Sequence, residues 1–425
     1  MTTGAGRLPA EVRGMFESAR FSSALSLTIV GTAFSTQAIR SMVGWPGLLG
    51  ILVSLCVLAA FSFIAHRGAI EWQGLLPISI LLFAGWCAIS VIWSQYQWAT
   101  AAGVLYQFMF AFLAVYLALV RDAIQIVRVV GDVLRALLAV SLALEILSGL
   151  LIDMPIRFLA IQGNLARGGP ISGIFGSRNE LGLVALIALV TFVVELRTRS
   201  VSRGKASFSI ALSALCLVLT SSPVIAVVLL VVVLAVTALS LVRRVRNARS
   251  RFYWQIAIGA LAVAGAVTGF LLRARIIELL NAGNVIQVRY DVWIQMLQVI
   301  PTYQLQGWGW IGTWNADFVP FSIVNALTGQ PHANGLDAYL DVYLQVGLVG
   351  LLLFILLISL ALGRSWLLAS NKRSIIYVWP PLVLTCLLTV SFAESAVLVE
   401  SGWMLLVICS VKAAQGMSWR DALPK

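Results

Sequence analysis

The sequence predicts an all-α, polytopic integral membrane protein of about twelve transmembrane helices, with a long extracytoplasmic loop that contains interfacial helices. Three observations predict it. Hydrophobic residues make up 60% of the chain and the mean hydropathy is +0.96, more apolar surface than a water-facing domain can bury. Apolar runs of about 17–25 residues, the length that crosses a bilayer, recur along the chain. Lysine and arginine gather in alternate connecting segments, as the positive-inside rule requires. Residues 1–425 read as one membrane domain, because no soluble domain, low-complexity tract or internal repeat interrupts the pattern.

Taken in order, the predicted spans are 22–39, 45–65, 74–93, 99–120, 132–152, 179–196, 208–220, 224–242, 255–272, 337–362, 375–392 and 397–411. The run 208–220 is short, and Pro223 separates it from the next, so a tight hairpin is expected there. The polar first 20 residues are long for a secretory leader and no cleavage site follows a short core, so no cleaved signal is expected.

With the N- and C-termini inside, most of the 29 lysines and arginines fall on inner segments, from Arg7, Arg13, Arg20 and Arg67 to Arg420 and Lys425. The outer face keeps Arg40, Arg157, Arg167, Arg178, Arg273, Arg275 and Arg289. The pI near 10.0 is therefore read as membrane anchoring rather than nucleic-acid binding. The five cysteines (Cys56, Cys87, Cys216, Cys386 and Cys409) lie in apolar runs without metal-ligand spacing and read as packing residues. No metal site and no cofactor is expected.

This orientation leaves two long outer segments, 153–178 and 273–335. The second holds an amphipathic stretch, NVIQVRYDVWIQMLQVIP, that Pro301 ends. It continues into QGWGWIGTWNADFVPF, whose tryptophans are expected along the outer interface.

The outer polar residues converge on QPHANGLDAYLDVYLQVGLVG. Ionisable groups at the mouth of a membrane helix are costly and read as functional. His332 is the candidate general base, since its ordinary pKa lies near working pH. Asn334 and Asp337 fit a helix N-cap and its N3 partner, which turns free N–H groups towards an anion. Asp341, one turn on, would pair with an arginine or orient His332, and Glu394 and Glu400 flank the last outer turn. Glu145, inside a span, needs a buried partner. Arginine presents a planar fork of donors to phosphate oxygens, so Arg289, Arg178, Arg167 and Arg275 are candidates for an anionic ligand such as a lipid diphosphate. Snorkelling to headgroups is the plainer role for Arg157, Arg273 and Arg275.

The series Arg289, Trp293, Gly307, Gly309, His332, Asn334, Gln345, Gly347 and Gly350 resembles the signature of the O-antigen ligase and polymerase family. ISVIWSQ at 89–95 and GGPISGIFGSRNELG at 168–182 resemble two further elements of that family, the latter as found in exopolysaccharide polymerases. The resemblance implies a metal-independent glycosyltransferase of the GT-C type in the bacterial cytoplasmic membrane. It would move a glycan from undecaprenyl diphosphate to an acceptor sugar hydroxyl at the outer face, with His332 as base, arginines on the diphosphate, and Trp293, Asp337, Asp341 and Glu394 in support. Its partners would be the lipid-linked oligosaccharide, the acceptor glycan, the bilayer and chain-length or export proteins. Polymerisation of repeat units is the first reading, and ligation of a finished glycan to a lipid or cell-wall acceptor is the alternative. One departure stands out: where the family carries Thr-x-Ser-Arg, this chain has Thr220, Ser221, Ser222 and Pro223, without the arginine. A lipid-linked-glycan flippase fits less well, because transporters place polar sites at the midplane of two related halves. A structural assembly partner would not need His332.

Overall fold

The structure, a computed structural model, describes residue 14, residues 16–66 and residues 77–416. The expectations about a leader, about the charges at Arg7, Arg13, Arg67, Arg420 and Lys425, and about the start of the 74–93 span fall outside the described residues.

The described chain is helical, with one isolated antiparallel bridge between Ile156 and Ile161. The helices are α1 (Ala19–Phe34), α2 (Thr36–His66), α3 (Ile78–Ile89), α4 (Gln97–Val120), α5 (Ala123–Ile146), α6 (Arg178–Thr198), α7 (Arg203–Leu219) and α8 (Pro223–Arg244). They continue with α9 (Ala248–Leu271), α10 (Arg273–Leu279), α11 (Gly283–Val299), α12 (Phe321–Thr328), α13 (Ala338–Asn371), α14 (Trp379–Val390) and α15 (Glu400–Gly416). Among the described residues, seven helices are long and apolar enough to cross a membrane: those at Thr36–His66, Gln97–Val120, Ala123–Leu151, Arg178–Thr198, Pro223–Arg244, Arg249–Leu271 and Ala338–Asn371. Ile78–Ile92 and Ile375–Val390 are shorter apolar helices.

Local chemistry sets the helix boundaries. Ser177 caps α6 by accepting the Glu180 N–H, and Ser222 caps α8 with Pro223 at its first position, where a missing N–H costs nothing. α8 packs mainly on α14 and α6, not as a tight hairpin on α7. α13 is the hub, against α3, α14 and α15, while α6 packs against α5, α7 and α14. Two breaks interrupt long helices. Gly44 (φ 71°) divides α2, as the boundary between two predicted spans requires, and Gly347 (φ 70°) divides α13.

The ends of the bundle differ. At one, Asp132, Arg135, Glu195 and Lys205 tie α5, α6 and α7 together: Arg135 donates to Glu195 at 2.6 Å and to Asp132 at 2.6 Å, and Lys205 reaches Asp132 at 2.8 Å. Arg243 and Arg251 join that end by donating to the backbone and side chains of residues 369–374 and to Val245. At the other end, residues 273–335 form a helical cap with an apolar core of its own, built on Val292, Met296, Ile300, Trp314, Phe321 and Val324.

Candidate functional site

The tryptophan-glycine segment does not lie along the surface. Trp310 is fully buried edge-on to Phe83, and Trp314 is buried too. The break at Gly347 explains this. Where α13 is interrupted, Gly309 N–H donates to the Gln345 carbonyl at 2.8 Å and Leu348 N–H donates to the Gln304 carbonyl at 2.9 Å. The segment thus plugs the gap, and both chains need to approach without side chains. A Cβ on Gly307 would overlap the Gln345 carbonyl, and one on Gly347 the Leu305 carbonyl. From α3 and the turn after it, Trp86 Nε1 donates to the Val346 carbonyl (2.9 Å) and Trp93 Nε1 to the Gln306 carbonyl (3.1 Å). Ser90 Oγ accepts the Trp310 N–H at 3.0 Å. Three separated stretches of the chain, 86–93, 304–310 and 345–348, therefore meet at one backbone junction.

Asp341 and Gln345 secure the loop that carries His332. The fully buried Asp341 accepts from Trp314 Nε1 (2.8 Å), Gln345 Nε2 (2.8 Å) and Gly335 N–H (3.1 Å). Gln345 Oε1 accepts from the N–H groups of Ile311 (2.9 Å) and Gly312 (3.0 Å). Among the described residues Asp341 therefore hydrogen-bonds neither an arginine nor His332; its carboxylate is engaged by Trp314, Gln345 and Gly335. The cap of α13 is also displaced from its expected place. Asp337 is the N-cap, accepting from Tyr339 and Leu340 N–H at 2.8 and 2.9 Å, while Asn334 makes a local turn to Leu336 N–H at 3.0 Å. The left-handed Leu336 (φ 51°) delays the helix start. Trp293 fixes the same loop from α11, its Nε1 donating to the Gly335 carbonyl at 3.2 Å.

The loop brings His332 to a cavity of ≈ 410 Å³ at the capped end of the bundle. Its wall is drawn from the α1–α2 junction (Thr36, Gln37, Arg40), the start of α6 (Ser177, Glu180), Thr313, Glu394 in the turn before α15, and Glu400 at the first position of α15. His332 is half-buried, and burial lowers its pKa. Its backbone N–H is held by Asn325 Oδ1 at 3.0 Å, and its ring makes no hydrogen bond among the described residues.

Glu394 is built in from behind. Arg289, buried at the inner side of α11, donates from Nη2 to Glu394 Oε1 at 2.6 Å, from Nε to the Ala393 carbonyl at 3.0 Å and from Nη1 to the Val285 carbonyl at 2.8 Å. Asn179 Nδ2 donates to the same Glu394 oxygen at 2.6 Å, and Ser222 Oγ donates to Asn179 Oδ1 at 2.7 Å. Burial raises the Glu394 pKa, with Arg289 and Asn179 opposing it. The stretch 220–223 thus reaches the site through Ser222 and supplies no cation. Glu145 has its partner as well: it accepts the N–H groups of Ser172 and Gly173, both at 2.8 Å, and so pins the glycine-rich loop before α6.

Of the four candidate anion-binding arginines, the three whose side chains are described do not line the cavity. Arg289 stands behind Glu394, Arg178 sits at the start of α6 beside the wall residue Ser177, and Arg275 is exposed on α10. The side chain of Arg167 lies outside the described residues. Among the described residues the arginine on the wall is Arg40, which counts among the outer-face arginines but not among the four candidates. It donates to Gln37 Oε1, lies 3.6 Å from Glu400 and stacks over Trp45 at 4.8 Å. Glu400 in turn accepts from Thr36 Oγ1 (2.6 Å) and Tyr106 O–H (2.9 Å). Arg40, Gln37 and Glu180 are functional candidates that sequence reasoning missed. The one available signal was the position of Arg40 at an outer span end. No group of three or more possible metal ligands occurs among the described residues.

Neither a scan against protein-family models nor a search of the curated proteins finds a match to this chain.

Proposed function

We propose that the protein is a glycosyltransferase that crosses the bacterial cytoplasmic membrane twelve times and works on its outer face. It would move a glycan from undecaprenyl diphosphate to an acceptor sugar hydroxyl, polymerising repeat units in the first reading and ligating a finished glycan in the second. The observation that carries the proposal is His332, which lines a cavity of ≈ 410 Å³ at the end of the bundle opposite the basic one and whose ring makes no hydrogen bond among the described residues. By the positive-inside rule that end is the outer one.

In this reading a sugar hydroxyl enters beside His332, whose ring nitrogen accepts its proton as the oxygen attacks the anomeric carbon. The bond from that carbon to the diphosphate breaks, and the lipid diphosphate leaves with the electron pair. Glu394, Glu180 and Glu400 face the same space and would accept hydrogen bonds from sugar hydroxyls. In this reading the diphosphate role passes from Arg289 to Arg40, because Arg40 is on the wall, with the N-terminal end of α6 adding the positive end of a helix dipole. Arg289 becomes a positioning residue for Glu394.

The test is transfer in vesicles holding the purified protein and a lipid-diphosphate oligosaccharide. Wild type should lengthen or transfer the glycan, and Arg40→Gln should lose about 10²-fold in rate while staying folded. Vesicles in which the lipid-linked glycan only changes leaflet would replace the transferase with a flippase.

A further inference from the structure

The basic end of the bundle carries a second concavity, which the transfer reading does not use. It is a groove of ≈ 580 Å³ between α6, α8 and α14. Its walls are apolar: Leu186, Leu189 and Val193 on one side, Leu229 and Val233 on the other, and Leu382 beneath. At its basic end Arg197, Arg243 and Arg244 line it, and among the described residues no carboxylate does.

The three arginines are not alike. Arg243 is committed: its Nη2 donates to the Arg373 carbonyl at 2.6 Å and its Nη1 to the Ala369 carbonyl, tying α8 to the end of α13. Arg197 and Arg244 are exposed and make no hydrogen bond or ion pair among the described residues. Two free guanidinium groups thus stand at the mouth of an apolar slot.

The slot has the length of one leaflet. Leu186 and Arg197 are eleven positions apart on α6, and at 1.5 Å of rise per residue this spans about 16 Å. Leu229 and Arg244 are fifteen positions apart on α8, or about 22 Å. Half the hydrocarbon core of a bilayer is about 15 Å. Arginines at this level meet a headgroup phosphate when an acyl chain lies in the groove. Guanidinium pairs two phosphate oxygens in a way that a zwitterionic headgroup, with its own cation, competes against.

We propose that this groove binds one anionic diacyl phospholipid of the cytoplasmic leaflet, with an acyl chain along α6 and α8 and the headgroup phosphate between Arg197 and Arg244. The site holds α8 against α6 and α14 through the lipid, on the far side of the bundle from the cavity. Its assignment to the cytoplasmic leaflet rests on the orientation proposed above; the binding itself does not.

Native mass spectrometry of the full-length protein tests it, with phosphatidylglycerol and phosphatidylcholine of the same chains titrated separately. The first phosphatidylglycerol should bind at least about tenfold more tightly. Arg197→Gln with Arg244→Gln should reduce that preference to under about twofold and leave phosphatidylcholine binding unchanged, whereas Val193→Trp, which fills the groove, should weaken both. The control pair Arg199→Gln with Arg249→Gln lies at the same end, is exposed and does not line the groove, and should keep the preference. Equal affinity for the two lipids in wild type would overturn the proposal. So would a preference that survives the first pair, or one that the control pair abolishes equally. If a polyprenyl phosphate displaces phosphatidylglycerol at equal concentration, the occupant is a carrier lipid and the diacyl assignment is wrong.

Discussion

α9 and the first turns of α13 are both apolar helices that hydropathy alone reads as spans, yet they have opposite surroundings. α9 has no buried residue among the described ones, and Cβ atoms added at Gly259, Gly265 and Gly269 would meet nothing within 4 Å. In α13, Gly347 lies against backbone, and Asp341, Gln345 and Gly350 are all buried. The same residue type is therefore a spacer in one helix and a structural requirement in the other. Apolar content places a segment in the bilayer, while the polar and glycine residues it carries decide whether it also builds a site.

The largest expected effect comes from glycine-to-alanine changes across that contrast. Gly347→Ala meets both a left-handed φ of 70° and the Leu305 carbonyl, and should cost about 3 kcal/mol or abolish folding. Gly259→Ala in α9 should be neutral or stabilising, by up to about 1 kcal/mol. Thermal unfolding in detergent measures both, and equal losses would erase the distinction.

Next is the Arg289–Glu394 pair, with side-chain exposures of 7% and 17%. Arg289→Ala leaves a carboxylate at the cavity wall without its charge partner and should cost about 3–5 kcal/mol. Adding Glu394→Gln should recover part of that stability but not activity. If Arg289→Ala keeps full stability and loses only donor binding, Arg289 acts on the diphosphate after all.

Smaller again is Asp341→Asn. Three donors point at this carboxylate, so an amide nitrogen there turns one bond into a clash of donors, costing about 1–3 kcal/mol. Activity should fall with the order of the 331–336 loop, read by hydrogen exchange at Gly335. An unchanged exchange rate would show that the loop does not depend on Asp341.

The smallest effect is on pH. Burial lowers the His332 pKa, so the ring stays neutral and able to accept a proton further into acid than an ordinary histidine. The acid limb of the rate profile, where activity is lost as pH falls and the ring charges, should have its midpoint below 6.5. A midpoint above that value would mean that a carboxylate sets the profile or that a nearby anion holds the proton.

Much of the fold was legible in the sequence. The apolar runs mark the helices, Pro301 ends α11 as expected, and the Gly44 break falls between two predicted spans. The candidate site was legible in part. His332 and Glu394 do share a cavity, and the polar cluster at 330–345 does organise its wall. What the sequence could not show was which arginine faces inward. Arg289 reads as a free cation only until Glu394, more than a hundred positions away, is brought beside it. Arg40 reads as a membrane-end anchor until the α1–α2 junction is folded against Glu400. The tryptophans of the 308–314 stretch were misjudged for a related reason: a tryptophan near a span end favours the interface unless the fold offers it a pocket, and the break at Gly347 opens a gap in which the Trp310 ring packs on Phe83 and the Trp314 N–H meets the Asp341 carboxylate.

The most direct test of the central claim is the rate of glycan transfer by His332→Ala beside wild type, in vesicles and with unfolding temperature measured in parallel. The account predicts that the variant folds with unchanged stability, since the ring makes no hydrogen bond among the described residues, and loses about 10²–10⁴-fold in transfer rate. A folded His332→Ala protein that transfers at the wild-type rate would contradict it.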